Sequence, residues 1–170
     1  MRILVVGILI IINIILESTI FQYLRIFGVK PDFIIIIMVS YAIMRGSSYG
    51  AFIGLGSGLL FDMLYGRAIG INALSYMITG YIIGQAHENV FKDSFIPAVI
   101  FNIGAVFIQQ NLCFLATYFS NNFGENGVSY VYILVKTIIP LCLYNGLVGG
   151  ILYRYIYKLD EKKFMEKRIY

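Results

Sequence analysis

Charge is what this sequence has least of. Asp, Glu, Lys and Arg make up 13% of its 170 residues while 59% are apolar, and the mean hydropathy is +0.82. A soluble core of this length does not need so much apolar mass, which excludes a water-soluble globular domain. Several runs approach the roughly 20 residues that a helix needs to cross a bilayer. The expectation is a single-domain integral membrane protein with no room for a separate catalytic domain outside the membrane. Reactive side chains are equally sparse. Cys113 and Cys142 lie in apolar segments, with no CxxC partner and no metal-ligand pattern nearby, and read as two small buried residues. His87, the sole histidine, stands near Glu88, Lys92 and Asp93 and reads as a solvated loop residue. There is no Ser–His–Asp or Cys–His arrangement, no metal-ligand pair and no phosphate loop. No enzyme, cofactor or nucleic-acid partner is therefore expected. The two halves share no long repeat, which argues against an inverted-repeat transporter.

What is there is apolar helix. Six segments are read, at 3–23, 32–44, 48–64, 69–85, 95–119 and 130–157. The first, which follows Met1 and Arg2, reads as an uncleaved span, because Glu17-Ser18-Thr19 follows it and no small-x-small cleavage site does. The fold class expected is an all-α bundle of six transmembrane helices. The second segment is short, about 20 Å at 1.5 Å per residue. It either runs on through Arg45 or does not cross, which leaves five spans as the alternative. Pro31 suits the first turn of that helix, and Asp32 places a negative charge at its positive end. Pro140 is expected to kink the last span. With both termini cytoplasmic, Lys and Arg divide nine inside to four outside, as the positive-inside rule favours. Residues 1–157 then form the polytopic transmembrane domain in the cell membrane. Residues 158–170 form a short basic cytoplasmic tail, suited to anionic lipid heads or a partner.

Within this pattern, glycines fall at 46, 50, 54 and 58, each four after the last. The next step of four is Asp62, and two more reach Gly66 and Gly70. Residues four apart share a helix face, and in lipid such a stripe admits a second helix at close range. The Gly54-Leu55-Gly56-Ser57-Gly58 run is not a dinucleotide fingerprint: Leu59 stands where a glycine is needed, and no strand precedes it.

Ionisable or amide side chains inside spans need partners. Glu17 and Lys136 reach span ends, where snorkelling keeps a long side chain solvated. Asp62 is too short to snorkel far, so a bond to another helix is expected, with Arg67 or Lys136 as candidates. In the fifth span, Asn102, Gln109, Gln110 and Asn111 have two readings. They bond neighbouring helices, or with Glu17 they line a polar cavity for a small solute.

The stretch from Pro31 to Gly84 resembles the bacterial rod shape-determining MreD family. The resemblance rests on Pro31-Asp32 opening an aliphatic run, Arg45-Gly46 closing it, then Gly50, Gly54, Gly58-Leu59-Leu60-Phe61-Asp62, Gly66 and Gly70. It covers about a third of the chain. Met44 departs from a second basic residue common at that place. The resemblance implies a non-enzymatic scaffold of the cell-elongation complex that helps organise peptidoglycan synthesis. It implies binding to the bitopic protein MreC and, through it, links to MreB, RodA and a transpeptidase. The family is also similar in fold to the S components of energy-coupling-factor vitamin transporters, so a solute-binding transporter subunit is the alternative. On the scaffold reading, the Gly46–Gly58 face accepts a helix, internal or from a partner, and Asp62 fixes its register.

Overall fold

The computed structural model describes residues 29–65, 70–90, 94–120 and 130–161. These are nearly all helical, and no strand occurs among them. Helix α1 is Phe33–Arg45, α2 is Ser47–Tyr65 and α3 is Ile71–Gly84. A 3-10 turn, Gln85–Asn89, follows, and then α4, Phe95–Ser120. A last rod joins α5 (Tyr130–Ile133), a π turn (Leu134–Ile138) and α6 (Ile139–Glu161). The expected first span, with Glu17, and most of the tail lie outside the described residues.

The second segment is the centre of the bundle. Every side chain from Ile34 to Met44 is buried, and α1 touches α2, α3, α4 and α6. A helix that is apolar all round must be covered all round. Its boundaries are set locally. Asp32 is the N-cap, and its carboxylate accepts the Ile35 N–H at 3.1 Å. Pro31 thus stands before the cap and not in the first turn. Aspartate is a strong capping residue, so it takes the boundary and leaves the proline outside. Gly46, at φ +93°, closes the other end by donating its N–H to Ala42. Only glycine adopts that conformation without strain, so α1 does not run on into α2. Its 13 residues reach about 20 Å, short of the roughly 30 Å of hydrocarbon in a bilayer.

Two antiparallel pairs flank α1: α2 with α3, and α4 with α6. One end of the bundle gathers Asp32, Asp62 and Asn72; the other gathers Gly46, Ser47, Gly84 and His87. Residues Phe95–Phe119 of α4 and Tyr130–Leu159 of the last rod are each long and apolar enough to cross a membrane. Large apolar side chains cover the outside, with Phe52 75%, Met63 67% and Leu147 64% exposed. Water would not tolerate so continuous an apolar surface; lipid would.

The rod carries a π turn immediately before Pro140. There Ile139 donates to the Leu134 carbonyl, five residues back. Proline has no N–H and its ring crowds the preceding turn; widening that turn by one residue accommodates both.

Candidate functional site

The stripe at 50, 54 and 58 faces α3. A Cβ on Gly50 would collide with the carbonyl of Gly80, and one on Gly54 with that of Tyr76. One on Gly58 would lie 2.5 Å from the Ala73 Cα. The approach is mutual. Gly80 is pressed against the Gly50 carbonyl, and Gly84 against Ser47. This is backbone on backbone, so the contact has no flexible side chain to give way. Gly46 leaves the stripe, because its positive φ places it in the turn between α1 and α2. Gly56, on the other face of α2, meets no described residue within 4 Å. The α3 half of the seam, Tyr76, Gly80 and Gly84, escaped the sequence reading although its spacing is also four.

Asp62 ends the seam, 1% exposed. Its carboxylate accepts from the Gly70 N–H and the Asn72 amide, each at 2.8 Å, and from the Ala73 N–H at 3.1 Å. The expected partner Lys136 is elsewhere: its ammonium bonds the Tyr132 hydroxyl and lies over that ring. Arg67 lies outside the described residues, as does Gly66. The start of α3 supplies what the carboxylate needs, since unpaired backbone N–H groups and the positive end of the helix dipole converge there. Gly70, at φ +107°, turns its N–H into this site.

Asp32 forms the second junction. Its other carboxylate oxygen accepts the Tyr76 hydroxyl at 2.6 Å. Its backbone N–H donates to Asn145 Oδ1 at 2.8 Å. Asn145 is fully buried and also donates its amide to the Asp32 carbonyl at 3.4 Å. A side-chain amide of α6 thus pairs with the backbone that opens α1. In the sequence Asn145 carries little signal, since it stands alone in an apolar helix, unlike the clustered amides of the fifth segment. Asn145→Ala is expected to destabilise the protein by about 1–2 kcal/mol, because it leaves the Asp32 N–H unpaired. Thermal unfolding in mild detergent measures this.

Of the expected polar-cavity residues, Glu17 lies outside the described ones and the others do not all line one cavity. Gln109 and Gln110 line a cavity beside Asp32. Asn102 is buried against Gly149 and donates to the Ala98 carbonyl. Asn111 donates to the Phe107 carbonyl and accepts from Tyr130. His87 is not a solvated loop residue. It lies in the 3-10 turn with Nδ1 2.6 Å from the Ile43 carbonyl, at the α1 C-terminus where carbonyls lack helical partners. Cys142 is buried as expected, and Cys113 is only partly covered. Among the described residues no cluster of His, Cys, Asp or Glu is arranged to hold a metal.

Residues 1–163 match the family model described as rod shape-determining protein MreD. The chain belongs to the MreD family. No curated protein and no solved structure gives a significant match. The MreD assignment makes this a shape-determining protein, and its apolar helices fit a transmembrane one. The residues that carry the resemblance now have a structural sense in this MreD chain. Pro31-Asp32 and Arg45-Gly46 bracket α1, Gly50 to Asp62 form the seam with α3, and Gly70 feeds the Asp62 junction.

Proposed function

We propose that the chain is a non-catalytic membrane scaffold of the rod-shape machinery. In this reading it binds the single-pass protein MreC in the lipid. It is thereby linked to MreB, RodA and a transpeptidase that builds lateral peptidoglycan. The family match over residues 1–163 carries the reading. The internal use of the glycine seam supports a rigid body and moves the partner surface to the outer faces. We place six helical segments in the membrane, with both termini cytoplasmic and residues 158–170 as the basic tail; α1, too short to cross the hydrocarbon by itself, links the two ends inside the bundle. The Asp32 end is then extracytoplasmic.

The test is recovery of the tagged protein from native membranes in mild detergent, with mass spectrometry of what accompanies it. Co-purification of MreC and elongation-complex proteins is the expected result. Recovery of ATPase subunits with a transmembrane coupling protein instead would sink the scaffold reading. Gly56→Leu refines the test, since a Cβ on Gly56 meets nothing among the described residues. If a partner helix sits there, MreC recovery falls at least several-fold while the thermal unfolding midpoint stays unchanged.

A further inference from the structure

The described helices do not account for all the cover on α1. Ile34 to Met44 make about three turns, so their side chains point in every direction around the axis, and none is more than 9% exposed. Four helices pack along α1, and they form an arc: α2 meets α3, α3 meets α4, and α4 meets α6. The ends of the arc stay apart, since α2 packs against neither α6 nor α4. A gap therefore runs along α1 between α2 and α6, and the α1 side chains that face it are buried all the same.

The edges of the gap are covered too. On α6, Gly146 and Gly150 face Ile103 and Val99 of α4. Val148, two residues from each, points to roughly the opposite side of the helix. It is nonetheless partly buried and packed against the core, as is Leu152, whereas Leu143, Leu147 and Ile151 beside them are exposed. On α2, Ile53 stands off the seam with α3 and is 9% exposed. This burial is complete within one chain, so the missing wall is a segment of the chain and not a partner helix or a second copy.

Outside the described residues lie 1–28, 66–69, 91–93, 121–129 and 162–170. The last four are too short to line α1 or too polar to face its isoleucines: Asn121, Asn122 and Glu125 stand in one, and Lys162, Lys163 and Lys167 in another. Such side chains need partners in lipid that an aliphatic helix does not give. From Ile3 to Leu16, by contrast, Asn13 is the one polar residue. As a helix, residues 3–23 reach about 30 Å, enough for the whole of α1. Only Leu24 to Gly28 separate them from Val29, so they approach α1 from its Asp32 end. We infer that residues 3–23 lie in the gap between α2 and α6, antiparallel to α1, and complete the ring around it. The inference holds whatever the chain binds, so it stands apart from the scaffold reading. It removes the α2–α6 gap from the surface open to a partner helix.

Disulfide trapping in the full chain tests this. Cys113→Ala and Cys142→Ala remove both native thiols. Val148→Cys is then combined with a cysteine at each position from Val6 to Ile20 in turn, and native membranes are oxidised with copper phenanthroline. Intact mass and gel mobility separate a disulfide within one chain from one between chains. The expected result is an intrachain disulfide at positions that recur every three or four residues, several-fold above the positions between them. Ile53→Cys is expected to trap a neighbouring face of the same segment, and Phe107→Cys, on the exposed side of α4, to trap none. Leu152→Cys serves where Val148→Cys does not yield a folded protein. Disulfides between chains only, trapping without periodicity, equal trapping by Phe107→Cys, or no trapping from either edge of the gap overturns the inference.

Discussion

Gly54→Leu is expected to disrupt the α2–α3 pair and to lower stability by about 3 kcal/mol or more, the upper end of what overpacking costs. The reason lies in what the new side chain would strike. Its first carbon would overlap the Tyr76 carbonyl, and Met38 Sδ would stand 3.0 Å away on the α1 side. The sulfur can yield, but the backbone of α3 cannot move without breaking its contacts at Gly50 and Gly58. Gly56→Leu, two residues on, is the matched control. It meets nothing among the described residues and removes a glycine that costs a helix up to ~1 kcal/mol relative to alanine, so the intrinsic stability of the chain should hold or rise. Unfolding midpoints of the two variants in the same detergent make the comparison. A midpoint for Gly54→Leu within a degree or two of the wild type would mean that the two backbones do not meet as described. In cells the first variant should give rounded shape through loss of the folded protein, not through a partner contact on the stripe.

Asp62→Ala carries the second large effect. Three donors lose their acceptor at once: Gly70 and Ala73 on one carboxylate oxygen and Asn72 on the other. Bonds to a charged group are worth about 1.5–3 kcal/mol each, and those in one network do not add. A loss of about 3 kcal/mol or more is expected. Asp62→Asn separates the contributions. Its single carbonyl oxygen can still serve Gly70 and Ala73, while its NH2 opposes that of Asn72. It should therefore destabilise measurably less than alanine does. Equal loss in both variants would mean that the backbone donors of α3 contribute nothing, and equal stability of both with the wild type would remove Asp62 from the junction altogether.

Much of this was legible in the residues. The glycine spacing pointed to a close helix contact, and the fourth step onto Asp62 pointed to a polar end, because both follow from helical periodicity. The partners of Asp62 were not legible. A sequence displays charged side chains such as Lys136 and hides backbone N–H groups, and here the donors come mostly from the backbone of a helix start. The central position of α1 was hidden for a different reason. In lipid, a helix facing protein and one facing acyl chains are both apolar, so the isoleucines at 34–37 do not say which they meet. Asn145 and the π turn before Pro140 each had a visible signal, a lone amide and a proline in an apolar run. Neither signal names the residue 113 positions away that Asn145 serves.

That last separation bears on how the chain is made. Synthesis proceeds from the N-terminus, so α1 emerges well before the helix that pairs with the Asp32 N–H at its start. Until α6 follows, the Asp32 N–H lacks the Asn145 oxygen and the aliphatic surface of α1 lacks the α4–α6 wall. Maturation is therefore closed from the C-terminal side. The last described rod is the one that covers the innermost helix, and a nascent chain ending before Asn145 leaves the Asp32 N–H without that oxygen.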